Sequence, residues 1–147
     1  MTSEKPIWAE VRGRATELLG QDATPGRDYF STEVVHCKSV KEKQGVRKAA
    51  KFCADQYLKR VMAVSGARVV VCVGKIAREQ VGRAFKLPDD GQRLGHPDPQ
   101  RVHGPLDRGN RQRYFVFLPH PSAFEPRTFA KCVLESDMER LRDALRA

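Results

Sequence analysis

No stretch of the sequence approaches the roughly 18 consecutive apolar residues that a membrane-spanning helix needs. The opening MTSEKPIWAEVRGR also has no apolar core of the kind that marks a secretory signal. A soluble, cytoplasmic protein with no membrane partner is therefore expected. Cysteine is scarce, with only Cys37, Cys53, Cys72 and Cys132. In a reducing compartment these read as core thiols or metal ligands rather than as disulfides. Internal repeats and low-complexity tracts are missing, and so are the Gly and Lys spacing of a P-loop and the three glycines of a dinucleotide fingerprint, so no nucleotide cofactor is expected. Acidic residues are the minority charge: 18 Asp and Glu against 27 Lys and Arg leave a net charge of +9. Such an excess favours a polyanionic partner, DNA or another nucleic acid.

At 147 residues the chain fits one domain that can bury a continuous core without disulfides or metal. Apolar runs of strand length alternate with segments of helical period, the pattern of a layered α/β domain. The reading predicts a helix over Ile7 to Leu19, ended by Gly20, and a Pro25-Gly26 turn. A strand over Tyr29 to Cys37 follows, rich in β-branched and aromatic residues. Ala49, Ala50, Cys53, Tyr57, Val61 and Val64 recur at helical spacing from Val46 onward, predicting one long amphipathic helix. Val69 to Val73 is an unbroken apolar run, as in a parallel strand covered on both faces. It ends in Gly74, and a helix through Ile76, Val81 and Phe85 begins there, leaving backbone N–H groups free for an anion. Residues 86–113 read as a long basic loop, Tyr114 to Leu118 as a strand, and the segment from about Pro126 or Thr128 as a final helix.

Two segments at strand ends carry the chemistry: Thr32-Glu33-Val34-Val35-His36-Cys37 and Leu118-Pro119-His120-Pro121-Ser122-Ala123. Ligands of open parallel sheets bind outside the carboxyl ends of the strands, where both segments would lie. Here the chain resembles the uracil-DNA glycosylase superfamily, particularly its bacterial and archaeal iron–sulfur branch. Thr32 to Cys37 is similar to that branch's Thr-Asn-Val-Val-Lys-Cys segment, and Cys53 follows Cys37 by 16 positions, as a cluster cysteine does there. The apolar strand Val69 to Val73 followed by Gly74, and the His-Pro-Ser-Ala of residues 120–123, complete the likeness, which spans about residues 29–125.

The resemblance implies a three-layer αβα fold around a short central parallel sheet. It also implies a DNA repair activity that hydrolyses the N-glycosidic bond of a flipped uracil or other deaminated base. His120 would be the catalytic donor to the departing base, Thr32 and Glu33 would join it in holding the base, and Ser122 would meet the target strand. Lys75, Arg127, Arg111 and Arg113 are candidates for neutralising phosphates. Phe124 reads either as a wedge entering the base stack or as core, and core is the commoner role of an aromatic after a strand.

Two departures bear on this reading. Glu33 stands where the relatives place an asparagine, and an ionised carboxylate can only accept hydrogen bonds, so it favours a base edge that offers donors. The CxxC pair and the Gly-Glu-Ala-Pro-Gly-like loop of the relatives have no counterpart. The first strand of their sheet is then expected to be missing, with a partner chain as one way of covering the edge. Cys37 and Cys53 match only half of a four-thiolate cluster, so no cofactor is expected apart from the iron–sulfur cluster that the resemblance brings into view. The alternative function is a catalytically inactive nucleic-acid-binding remnant of the same fold.

Overall fold

The computed structural model describes residues 6–34, 45–87, 101–108, 111–124 and 128–147. Its centre is a three-stranded mixed sheet of β1 (Val69–Val73), β2 (Val102–Arg108) and β3 (Arg111–Leu118) in the order β1-β3-β2. Strands β1 and β3 run parallel, with Val69 opposite Tyr114 and Val73 opposite Leu118, and β2 pairs with β3 antiparallel. The sheet is thus mixed, which corrects the expectation of a purely parallel one.

Side chains alternate across a strand, and here both faces are covered. On one face Val69, Val71, Val73, Tyr114, Val116 and Leu118 join a core completed from three helices. These are α1 (Pro6–Leu19), α5 (Phe129–Cys132) and α6 (Glu135–Arg146), which supply Leu18, Phe129, Cys132, Met138 and Leu141. On the other face Val70, Cys72, Phe115 and Phe117 pack with Leu58, Met62, Val81 and Phe85. Those four come from the α2 (Val46–Cys53), π turn (Ala54–Leu58) and α3 (Lys59–Val64) run and from α4 (Lys75–Phe85). Helix, sheet and helix layers follow directly from period-two alternation in strands that are apolar on both sides.

The expected long helix after Val46 is one continuous run with a π turn inside it. At about 100° per residue, Leu58 in a straight α-helix would lie about 80° from the line of Ala50. One extra residue in the turn takes back about one residue of rotation and returns Leu58 and Met62 to the buried side.

Three other expectations change. Residues 29–34 form no strand, apart from an isolated bridge between Pro25 and Tyr29. The Pro25-Gly26 turn is closed by the Gly26 N–H to the Tyr29 carbonyl and by the Thr24 N–H to the Asp28 carboxylate, and residues 29–34 gain no neighbouring strand. Strand preference expresses itself only against such a neighbour. Residues 35–37 of that expected strand lie outside the described residues. The expected loop 86–113 contains β2, an edge strand irregular between His103 and Leu106. Gly104 sits in that irregularity at φ +134°, where an added Cβ would come within 2.6 Å of the Arg113 carbonyl oxygen. Proline is tolerated at just such edge and bulge positions, which is why Pro105 hid the strand. Finally, the last helix is two: Val133 and Leu134 are extended between α5 and α6, and Val133 is buried in the core.

Polar contacts tie α1 to the end of the chain. The Glu17 carboxylate accepts from the backbone N–H groups of Phe129 and Ala130 at 3.0 and 2.7 Å, capping α5. Arg142 of α6 in turn donates to the Leu18 and Glu17 carbonyls at the end of α1.

Candidate nucleic-acid site at the sheet's carboxyl edge

Where β1 and β3 end side by side, the Gly74 N–H donates to the Leu118 carbonyl at 2.9 Å, holding the two strand ends together. Gly74 adopts φ 86°, ψ 169°, a region that is essentially glycine's alone, and α4 starts at the next residue. The lack of a side chain leaves room for His120. A Cβ on Gly74 would stand 3.2 Å from Cδ2 and 3.4 Å from Cβ of His120, so the imidazole lies directly over the glycine.

The turn that carries His120 is held by flanking prolines and by hydrogen bonds within it. Pro119 and Pro121 are buried, His120 is exposed, and the Ala123 N–H donates to the His120 carbonyl at 2.9 Å. The Ser122 backbone N–H donates to His120 Nδ1 at 3.2 Å, and the Ser122 Oγ lies 2.6 Å from the same nitrogen. A backbone N–H can only donate, so Nδ1 must present its lone pair, the serine hydroxyl donates to it as well, and the neutral ring carries its proton on Nε2. The result is an exposed imidazole with its N–H donor on Nε2, fixed in tautomer and orientation by a residue two positions on.

Lys75, the first residue of α4, is exposed beside Gly74, with Nζ 3.9 Å from Glu79 Oε1. Such a long, exposed contact leaves most of the ammonium available to another anion. Phe124, at the end of the same turn, is fully exposed. The commoner reading of it as core is overturned. His120, Ser122, Gly74 and Lys75 therefore share one place, and of these only Gly74 had no assigned role in the sequence. Its signal was the glycine ending an apolar strand immediately before a helix.

Arg111 and Arg113 lie away from this place. Arg111 and Arg113 start β3, whereas His120 follows its end. At about 3.3 Å per residue, Arg111 and Leu118 are roughly 23 Å apart. Arg113 is also buried: its guanidinium donates to the carbonyls of Met62 (2.6 Å), Ser65 (3.0 Å), Arg108 (2.9 Å) and Ala67. Burial, and then the neighbouring Arg111 charge, lower its pKa from the usual guanidinium value. This corrects its assignment to DNA phosphates, because a guanidinium spent on four carbonyls inside the protein is not presented to a partner. Arg111 is exposed and donates to the Gly66 carbonyl at 2.9 Å. Thr32 and Glu33 are both exposed in an irregular segment, and Val34 beside them packs against the core that contains Cys72 and Phe117. Arg127 lies outside the described residues.

The described thiols do not converge. Cys37 is outside the described residues, Cys53 is buried in α2, Cys72 is buried in the sheet, and Cys132 is buried in α5 on the opposite face. Burial pushes the Cys72 thiol up to about 12, opposing the thiolate that a metal requires. Among the described residues no three His, Cys, Asp or Glu side chains are grouped to hold a metal ion. The described thiols do not fit a four-thiolate cluster. No helix among the described residues is long and apolar enough to cross a membrane. Compared with family models, curated proteins and solved structures, the chain matches none.

Proposed function

We propose that this chain acts on DNA as a glycosylase of the uracil-DNA glycosylase type, releasing a deaminated base from a flipped nucleotide. The single observation that carries the reading is His120, an exposed imidazole at the sheet's carboxyl edge whose Nδ1 is held by Ser122 so that its proton is on Nε2. When the bond between sugar C1′ and base nitrogen breaks, the bonding electrons leave with the base, and negative charge spreads from that nitrogen onto an exocyclic carbonyl oxygen. A preorganised N–H at that oxygen stabilises the charge, and water then adds at C1′, leaving its hydroxyl on the sugar while its proton neutralises the departed base anion. Lys75 supplies positive charge beside the imidazole, the exposed Phe124 ring offers a surface for a neighbouring base, and the net charge of +9 favours a polyanion. Glu33, an acceptor when ionised, selects a base edge bearing an amino group or ring N–H.

A second reading, a binding module without chemistry, draws on the exposure of Thr32 and Glu33 outside any strand. Base release from single-stranded and duplex oligonucleotides carrying uracil, hypoxanthine or xanthine separates the two. On the first reading His120→Ala lowers release by about 100- to 1000-fold, the usual cost of losing one such donor. Salt-sensitive binding with no release by the wild type would establish the second.

A further inference from the structure

The 19-residue run of α2, π turn and α3 carries five basic residues and one acid, a net +4 out of the chain's +9. Its apolar side, with Ala50, Cys53, Leu58 and Met62, is used up by the core. The opposite side is exposed and holds Arg47, Lys48, Lys51, Phe52, Lys59 and Arg60. Because the π turn inserts one residue, the seven-residue near-repeat of an α-helix becomes eight across it. Lys48, Phe52 and Arg60 then fall on one line, and Arg47, Lys51 and Lys59 on the line beside it. The acid, Asp55, is already matched by Lys51 at 2.9 Å and by Arg83 of α4 at 2.7 Å, so it does not oppose the field. Phe52, at 62 % exposure, stands among these cations with its ring in solvent.

We propose that this face is a second nucleic-acid surface, which binds a single strand by its phosphates and stacks one base on Phe52. The proposal rests on the nucleic-acid reading of the chain but not on its glycosylase chemistry. Lys48 and Arg60 are about 18 Å apart along the helix at 1.5 Å per residue, the length of about five phosphates at 3.4 Å of rise per nucleotide. A positive surface that follows the backbone, with an aromatic set among the cations as Phe52 is between Lys48 and Arg60, is the arrangement by which proteins track a single strand and stack its bases. An anionic membrane is disfavoured because a helix lying in the interface buries an apolar side, and this helix has spent that side on its own core.

The test is fluorescence anisotropy of the full chain with a lesion-free single strand and with its duplex, over a salt series. Lys48→Gln with Arg60→Gln is expected to lower the slope of log affinity against log salt by about 1.4, at about 0.7 per lost single-strand phosphate contact. Phe52→Leu is expected to weaken single-strand binding about tenfold and duplex binding far less, since only an unpaired base offers its face for stacking. All three positions are exposed, and unchanged thermal unfolding verifies that the variants fold. An unchanged salt slope in the double variant overturns the proposal, as does an equal loss on duplex and single strand in Phe52→Leu. Preferential, Lys48-dependent binding to phosphatidylserine vesicles would overturn it in favour of a membrane. Absence of base release together with the expected binding changes would remove the glycosylase reading and leave this surface standing. Base release with no effect of these variants would do the reverse.

Discussion

Replacing Arg113 with methionine tests the interior of the fold and the limits of the basic surface together. The guanidinium links the end of α3, the turn into β1 and the end of β2 through the carbonyls of Met62, Ser65, Ala67 and Arg108. Methionine keeps much of the volume but donates nothing, so four inward-facing carbonyls lose their partner. At about 1 kcal/mol net per hydrogen bond the loss is about 4 kcal/mol. The larger value normal for a charged donor is offset by the cost of burying the guanidinium in the wild type. That is a large part of the 5–15 kcal/mol or so that stabilises a domain of this kind. Urea unfolding should show a lower midpoint with an unchanged slope. Arg113→Lys should recover less than half, because an ammonium cannot reproduce the planar fork. Arg111→Met, which removes a single exposed contact, should cost no more than about 0.5 kcal/mol. A loss below about 1 kcal/mol for Arg113→Met, or one equal to that of Arg111→Met, would refute the account, since it would put the guanidinium's worth below that of a single buried hydrogen bond. So would a reduced salt slope of nucleic-acid binding in a folded Arg113 variant, because that requires the side chain to reach a phosphate.

Gly74→Ala places a Cβ 3.2 Å from the His120 ring and a side chain in a glycine-only backbone region, so a loss of about 1–3 kcal/mol and shifted imidazole resonances are expected by thermal unfolding and NMR. Glu17→Ala removes the acceptor of the Phe129 and Ala130 N–H groups at the start of α5 and should cost about 1–2 kcal/mol in the same unfolding assay, with Glu17→Gln retaining part of it as a remaining acceptor. The Cys72 thiol, raised from 9.0 to about 12, makes a stability contribution that is fully present below pH 9 and is lost as pH rises from there toward 12. Alkaline unfolding curves of Cys72→Ala should accordingly be flatter in that window than those of the wild type. Alkylation followed by peptide mass spectrometry should leave Cys53, Cys72 and Cys132 unmodified in the native protein at neutral pH, all three being buried.

The apolar run Val69 to Val73 and the pattern of Tyr114 to Leu118 were enough to place both strands and to anticipate helices on both faces, because burial on two sides leaves no polar alternation. Helical spacing likewise marked α1, the run from Val46 and α4, and the glycine before Lys75 marked where α4 begins. Local sequence was a poor guide where a neighbour decides the outcome. Tyr29 to Val34 has strand-forming residues but meets no partner strand, whereas Val102–Arg108, with Gly104 and Pro105, becomes a strand because β3 supplies its hydrogen bonds. The π turn could not be read from spacing alone, since its cause is the need to return Leu58 and Met62 to a core built by distant residues.

The same division holds at the site. The flanking prolines and the serine two positions on were visible around His120 in the sequence, because a tight turn acts over few residues. That the imidazole rests on Gly74, that Ser122 turns toward the ring, and that Phe124 stands in solvent were decided by the pairing of β1 with β3 and the start of α4. Arg113 makes the point most sharply. By sequence it is one more cation in a basic stretch, and only the carbonyls converging on it from α3, from the turn into β1 and from β2 make it part of the interior, because a residue's charge is local while its burial is a property of the whole chain.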